Sequence, residues 1–107
     1  MNIESTEFEK FKNIEFLGDK LLNVIVSDLL IDKGYTRNEV NRKLPFYTSN
    51  EYLIKVAVKI DLKENEKDLS FSDKKIANAF EYYIFNFFKK EGYDKVKKLI
   101  SEIFSLN

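Results

Sequence analysis

The chain has 107 residues, enough for one domain with a core of its own, and it contains no Cys and no His. Disulfides, thiolate or His-rich zinc sites, and nucleophilic catalysis by Ser-His or Cys-His pairs are therefore excluded. Eighteen basic and eighteen acidic side chains cancel, so any nucleic-acid surface must come from uneven distribution of charge rather than from a basic excess.

Met1 to Lys12 begins polar, and Phe8 and Phe11, three apart, suggest one short amphipathic helix. A long helix is expected from about Asn13 to Lys33, with Gly34 as its stop. On it Glu15 and Asp19 are i,i+4 neighbours, and Leu22 and Val26 continue their face. Ile14, Leu17, Leu21 and Val24 cover another side, Ile25 and Leu29 bridge the two, and a helix apolar over most of its circumference is expected to be central. Its polar strip is narrow, made of Lys20, Asn23 and Ser27, and Phe16 falls inside it, which suggests a partner surface. The longest apolar stretch, Leu21 to Ile31, is broken by Asn23, Ser27 and Asp28, and no charged-then-apolar leader opens the chain; a soluble, cytoplasmic protein is expected.

Thr36 and Glu39 have the spacing of a capping box and start a short helix that Pro45 is expected to end. Thr48 and Glu51 repeat the spacing ahead of a helix to about Ile60, with Leu53, Val56, Ala57 and Ile60 inward. Lys63 to about Ser72 reads as a charged, solvated connector. Ser70 or Ser72 then caps a helix to about Lys90, with Gly92 beyond it. The aromatics of this helix, Phe80, Tyr82, Tyr83, Phe85, Phe87 and Phe88, imply burial between other helices rather than base stacking. Asp94 caps a last helix from Lys95 to about Leu106, with Val96, Leu99, Ile100 and Ile103 inward. No segment alternates with period two, so the fold class is all-α, a single domain over 1–107 without internal repeats.

With His and Cys absent, oxygen ligands remain. Glu15, Asp19 and Glu81 sit at helix positions that the pattern turns partly inward, and carboxylates gathered away from water are costly unless a cation neutralises them. Mg²⁺ suits such a set, because it takes oxygen ligands and keeps several waters. The plainer reading is of partly exposed helix acids held in salt bridges.

NIEFLGDKLLNVIVSDLLIDKG, from Asn13 to Gly34, resembles the ribonuclease III signature, in which a Glu and an Asp flank Phe-Leu-Gly ahead of an apolar helix. TSNEYLIKVAVKIDL resembles that family's middle helix, KKIANAFEYYI its second acidic segment, usually Asp-x-Phe-Glu-Ala, and EGYDKVKKLISEIF its closing helix. Nearly all of the chain is covered, in the family's order. The resemblance implies a compact helical endonuclease domain that hydrolyses phosphodiesters of double-stranded RNA with Mg²⁺, Mn²⁺ being a possible substitute. Carried over, the catalytic and metal positions fall on Glu15, Asp19, Asn78 and Glu81, with Asn78 standing where the family has an Asp. Its amide oxygen can accept a water or weakly ligate a cation, but it supplies no charge. Other departures are Lys12 for an acid, Lys20 for a small residue, and Tyr82 and Phe85 where the family favours Ala and Gly.

Members of the family pair through the signature helix, the Phe of Phe-Leu-Gly entering the opposite subunit; Phe16 is that residue, and a homodimer is expected. The family's opening helix and its double-stranded RNA-binding domain have no counterpart in the sequence. RNA affinity is therefore expected to be modest and salt-sensitive, with weak contacts from Lys20, Lys67, Lys74 and Lys75, and a separate RNA-binding protein is a possible partner. Two other readings stand beside the nuclease: a catalytically inactive RNA-binding or ribonucleoprotein module, favoured by Asn78, and a helical dimerisation scaffold with no RNA role, favoured by zero net charge.

Overall fold

The computed structural model describes residues 6–60 and 73–107, and the expected connector, its lysine Lys67 and the caps at Ser70 and Ser72 lie outside that range. Five helices make up the described chain: α1 (Glu7–Asp32), α2 (Arg37–Tyr47), α3 (Asn50–Lys59), α4 (Asp73–Glu91) and α5 (Tyr93–Ile103). Among the described residues there is no strand, so the fold is all-α as expected.

The first helix departs from expectation in being one element rather than two. Nothing between Lys12 and Asn13 breaks the backbone, and the start lies farther back, at a capping box. Thr6 accepts a hydrogen bond from the Glu9 N–H at 3.0 Å, and the Glu9 carboxylate accepts the Thr6 N–H at 3.2 Å. The resulting helix is 26 residues long. It stops where expected: Gly34 takes φ 98°, and the Tyr35 N–H turns back to the Leu30 carbonyl at 3.2 Å.

Three boundaries differ at α2, α3 and α5. Thr36 and Glu39 do form a capping box, but Pro45 lies inside α2. A proline this close to a helix end removes one N–H, whose acceptor would be the Asn41 carbonyl on an exposed residue, and the last turn survives that loss. Thr48 therefore closes α2, its N–H and its hydroxyl both donating to the Leu44 carbonyl, while Ser49 caps α3 by accepting the Tyr52 N–H at 3.1 Å. The expected Thr48–Glu51 box is not formed. Asp94 is likewise not a cap. Gly92, at φ 93°, leaves α4 and enters α5 with no intervening loop, which places Asp94 in the first turn, where its charge favours the helix dipole.

The core gathers around α4, which packs against both α1 and α3, while α2 and α5 close the sides. Leu22, Ile25, Val26, Leu30, Leu53, Phe80, Ile84, Val96 and Ile100 are fully buried. Each such side chain contributes roughly 1.5–3 kcal/mol of transfer free energy. The inward faces expected for α3 and α5 hold, Ile60 and Leu99 being half-buried at the margin. Polar ties fix α5 from both ends. Tyr93 donates to the Asp28 carboxylate at 2.7 Å, Lys97 bridges Asp28 at 3.1 Å and Asp32 at 2.8 Å, and Lys59 donates to the Ile103 carbonyl at 3.1 Å.

One face of α1 is left open. Neighbouring helices cover the stripe through Leu22, Ile25 and Leu29, but Leu17, Val24 and Ile31 lie exposed beside Phe16. Leu17 and Val24 thus do not cover an inward side, and α1 is not enclosed all round within a single chain. Among the described residues, no helix is long and apolar enough to cross a membrane.

Candidate active site

The site begins with a glycine. A Cβ built on Gly18 would run into the carbonyl oxygen and carbon of Glu81 and would lie 3.1 Å from the Glu81 Cβ, so the backbones of α1 and α4 touch at this point. Nothing larger than hydrogen fits there. Because Glu15 and Asp19 flank Gly18 on α1, this contact brings both beside Glu81, more than sixty residues away in the chain.

Glu15 and Glu81 are each only 8% exposed, and Asp19 is half-buried. Burial disfavours the ionised Glu81 carboxylate, a hydrogen bond with Asp19 adds to the effect, and the charges of Asp19 and Glu15 repel a further negative charge. Together they push Glu81 up to about 8 from its ordinary 4.5. Without a cation, Glu81 is therefore held toward its protonated form at neutral pH. Lys12 offers partial compensation at the edge, its ammonium 3.9 Å from Glu15. Asn23 donates to the Asp19 backbone carbonyl at 2.9 Å, securing the helix behind that acid.

The other residues singled out from the sequence are more dispersed. Asn78 lies one turn before Glu81 on α4 and is half-buried. Lys20 follows Asp19 on α1 and is exposed, its ammonium 5.2 Å from the Phe16 ring centroid. Lys75 is exposed near the start of α4, and Lys74 lies in the same turn. Phe16 is 60% exposed, in keeping with its place on the polar strip.

Two contacts went unanticipated. Phe11 stacks on Tyr82 with ring centroids 4.5 Å apart and planes inclined by 23°, and the Lys12 ammonium sits 5.9 Å from the Phe8 ring centroid. The spacing Phe8, Phe11, Glu15, Asp19, Leu22 is one continuous helical stripe, and extending the long helix back to Phe8 would have revealed it.

Among the described residues, no three acidic, His or Cys side chains already stand in an arrangement that could hold a metal ion. The donor chemistry nonetheless fits Mg²⁺. The candidates are oxygen donors only, Asp19 and Glu81 already share a hydrogen bond, and Mg²⁺ typically takes one or two protein carboxylates and keeps its waters.

A curated ribonuclease 3 from Bacteroides thetaiotaomicron is 24% identical to this chain over 97 residues, which cover 85% of the chain and 31% of that protein. The relationship to ribonuclease 3 is a distant one. The chain spans about a third of the length of this relative. No family model matches the sequence, and no solved structure matches it.

Proposed function

We propose that the protein is a Mg²⁺-dependent endonuclease that hydrolyses phosphodiester bonds of double-stranded RNA as a homodimer. The observation that carries this reading is the Gly18–Glu81 contact, which brings the acids of α1, Glu15 and half-buried Asp19, beside buried Glu81 of α4. The distant likeness to a ribonuclease 3 supplies the substrate class. Asp19 and Glu81 would hold the cation, with Glu15 behind them and Asn78 as a neutral oxygen donor. Bound Mg²⁺ supplies a polarised phosphoryl oxygen and a water of lowered pKa.

The chain's own residues do the rest. If Mg²⁺ were bound, Glu81 would hold it as a carboxylate together with Asp19, the Glu81 proton passing to solvent. Glu15, buried beside them, would add negative charge favouring a cation, with the Lys12 ammonium 3.9 Å away at the edge. Attack in line by water would leave a 5′ phosphate and a 3′ hydroxyl, as the family resemblance implies. Duplex recognition would read A-form shape, 2′ hydroxyls and phosphates rather than base edges.

The open α1 face supports the pairing. Phe16, Leu17, Val24 and Ile31 form an exposed apolar surface on the side of α1 away from the acids, and an isologous contact there would place two acidic clusters on one assembly.

The test is incubation of a long RNA duplex with the protein at low salt, in Mg²⁺ and in EDTA, beside Asp19→Asn and Glu81→Gln. Metal-dependent scission lost in both variants is the expected result, and hydrolysis surviving in both would overturn the assignment. Asn78, neutral where the family has an acid, favours one second reading: an inactive RNA-binding module, which would bind the duplex in the same assay and leave it intact.

A further inference from the structure

The stripe of α1 that carries Glu15 and Asp19 does not end at the acids. Toward the N-terminus it continues through Phe11 and Phe8, where α1 overhangs the rest of the fold: residues 6–13 are exposed throughout. Phe8 is 71% exposed and Phe11 41%, although both lie on the side of the helix that faces inward farther along. Along this stretch the face is met, among the described residues, by the Tyr82 ring, and Phe8 stays open beyond it. The second wall is Tyr82, which stacks on Phe11 and is the immediate neighbour of Glu81. Both rings of the stack are thus anchored within about one helical turn of a site carboxylate.

We propose that Phe11 and Tyr82 form a stacking platform for an unpaired nucleobase, positioning the phosphate next to that base at Asp19 and Glu81. The proposal rests on the nuclease reading for the nature of the polymer. Flat aromatic faces in a parallel stack extend naturally by one more planar ring, and base–aromatic stacking tolerates any base. Lys12, the residue after Phe11, places its ammonium 5.9 Å from the Phe8 ring centroid and 3.9 Å from Glu15. Bases inside a duplex are already stacked on both faces, so only a base at an overhang, bulge or loop can occupy the platform. The preferred substrate class is therefore a duplex with an unpaired nucleotide adjoining the bond to be cut. Phe11 and Tyr82 are positioning residues, acting on the base and not on the reacting phosphate.

The experiment uses an RNA duplex with a short 3′ overhang carrying 2-aminopurine at its unpaired position, beside the same duplex made blunt. Fluorescence is read in the Glu81→Gln protein, so that scission does not intrude, and cutting of both duplexes is read in the wild type. Quenching on binding, with the overhang duplex bound at least roughly five-fold more tightly than the blunt one, is expected. Phe11→Leu or Tyr82→Leu, each apolar and each checked by thermal melting, should abolish the quenching and bring the affinity ratio toward one. A pair that only pins α1 to α4 would alter the melt and leave quenching as it was, which overturns the platform. Equal cutting of both duplexes without quenching overturns the platform and leaves the nuclease standing. Quenching without cutting overturns the nuclease and leaves the platform.

Discussion

Gly18 and the Glu81 carbonyl meet without room for a methyl group between them, and the acidic cluster depends on that contact. Gly18→Ala gains helix propensity of about 1 kcal/mol on α1, but it must push two backbones apart. The clash is with backbone and not with a yielding side chain, so overpacking should win, with a net loss of roughly 1–3 kcal/mol. Urea denaturation of the variant against wild type measures it, and an unchanged midpoint would refute the close approach.

The raised Glu81 makes a pH-dependent statement with a definite sign. Between 4.5 and about 8 the folded protein keeps a proton that the unfolded chain has lost. Its stability contribution is complete below 4.5 and disappears as pH rises through about 8, so in EDTA this group makes the melting temperature fall across that window. Mg²⁺ should lower the Glu81 titration midpoint and reverse the trend. A ¹³C-detected titration of the Glu side chains, with Glu81→Gln for assignment, follows both effects. Asp19→Asn should move the Glu81 midpoint down, because it removes a repelling charge.

Across the molecule, Asp28 has the opposite shift. Hydrogen bonds from Tyr93 and then Lys97 hold its carboxyl below the usual range, so stability from this group is present above the ordinary value of 3.8 and lost as pH falls through the lowered one. Tyr93→Phe removes one charge-assisted hydrogen bond on a part-exposed pair, for a loss of about 1 kcal/mol near neutral pH. The loss should shrink once Asp28 is protonated, which denaturation followed from pH 7 down to below the lowered Asp28 midpoint will reveal.

Pairing through the open α1 face predicts that Val24→Glu and Phe16→Glu give a monomer. Both residues are more than half exposed in the single chain, so helical content should persist. Sedimentation velocity reports the assembly and circular dichroism the fold. Dimers retained in both variants would assign the contact elsewhere.

Much of this was legible in the sequence because helices announce themselves locally. Thr36 and Glu39 mark a start and Gly34 a stop through interactions within a few residues, and the inward faces of α3 and α5 follow from periodicity alone. Competing caps were harder: Thr48 and Ser49 are adjacent, and which hydroxyl faces the next turn depends on where α2 releases the chain. Glu15 and Asp19 could be placed on one face by spacing. Their meeting with Glu81 could be anticipated only by family resemblance, since no periodicity reveals that Gly18 touches α4. The exposure of Leu17 and Val24 is not legible in an apolar pattern, which says which side chains avoid water and not whether their shelter is the same chain.

The separation of Glu15 and Asp19 from Glu81 along the chain also bears on synthesis at the ribosome. Through the emergence of α1, α2 and α3 the nascent polypeptide carries two of the three acids; the third arrives only when α4 has left the exit tunnel and closed a long loop back onto Gly18. Until that closure the acidic group on which the proposed nuclease reading rests is not assembled on the ribosome-bound chain.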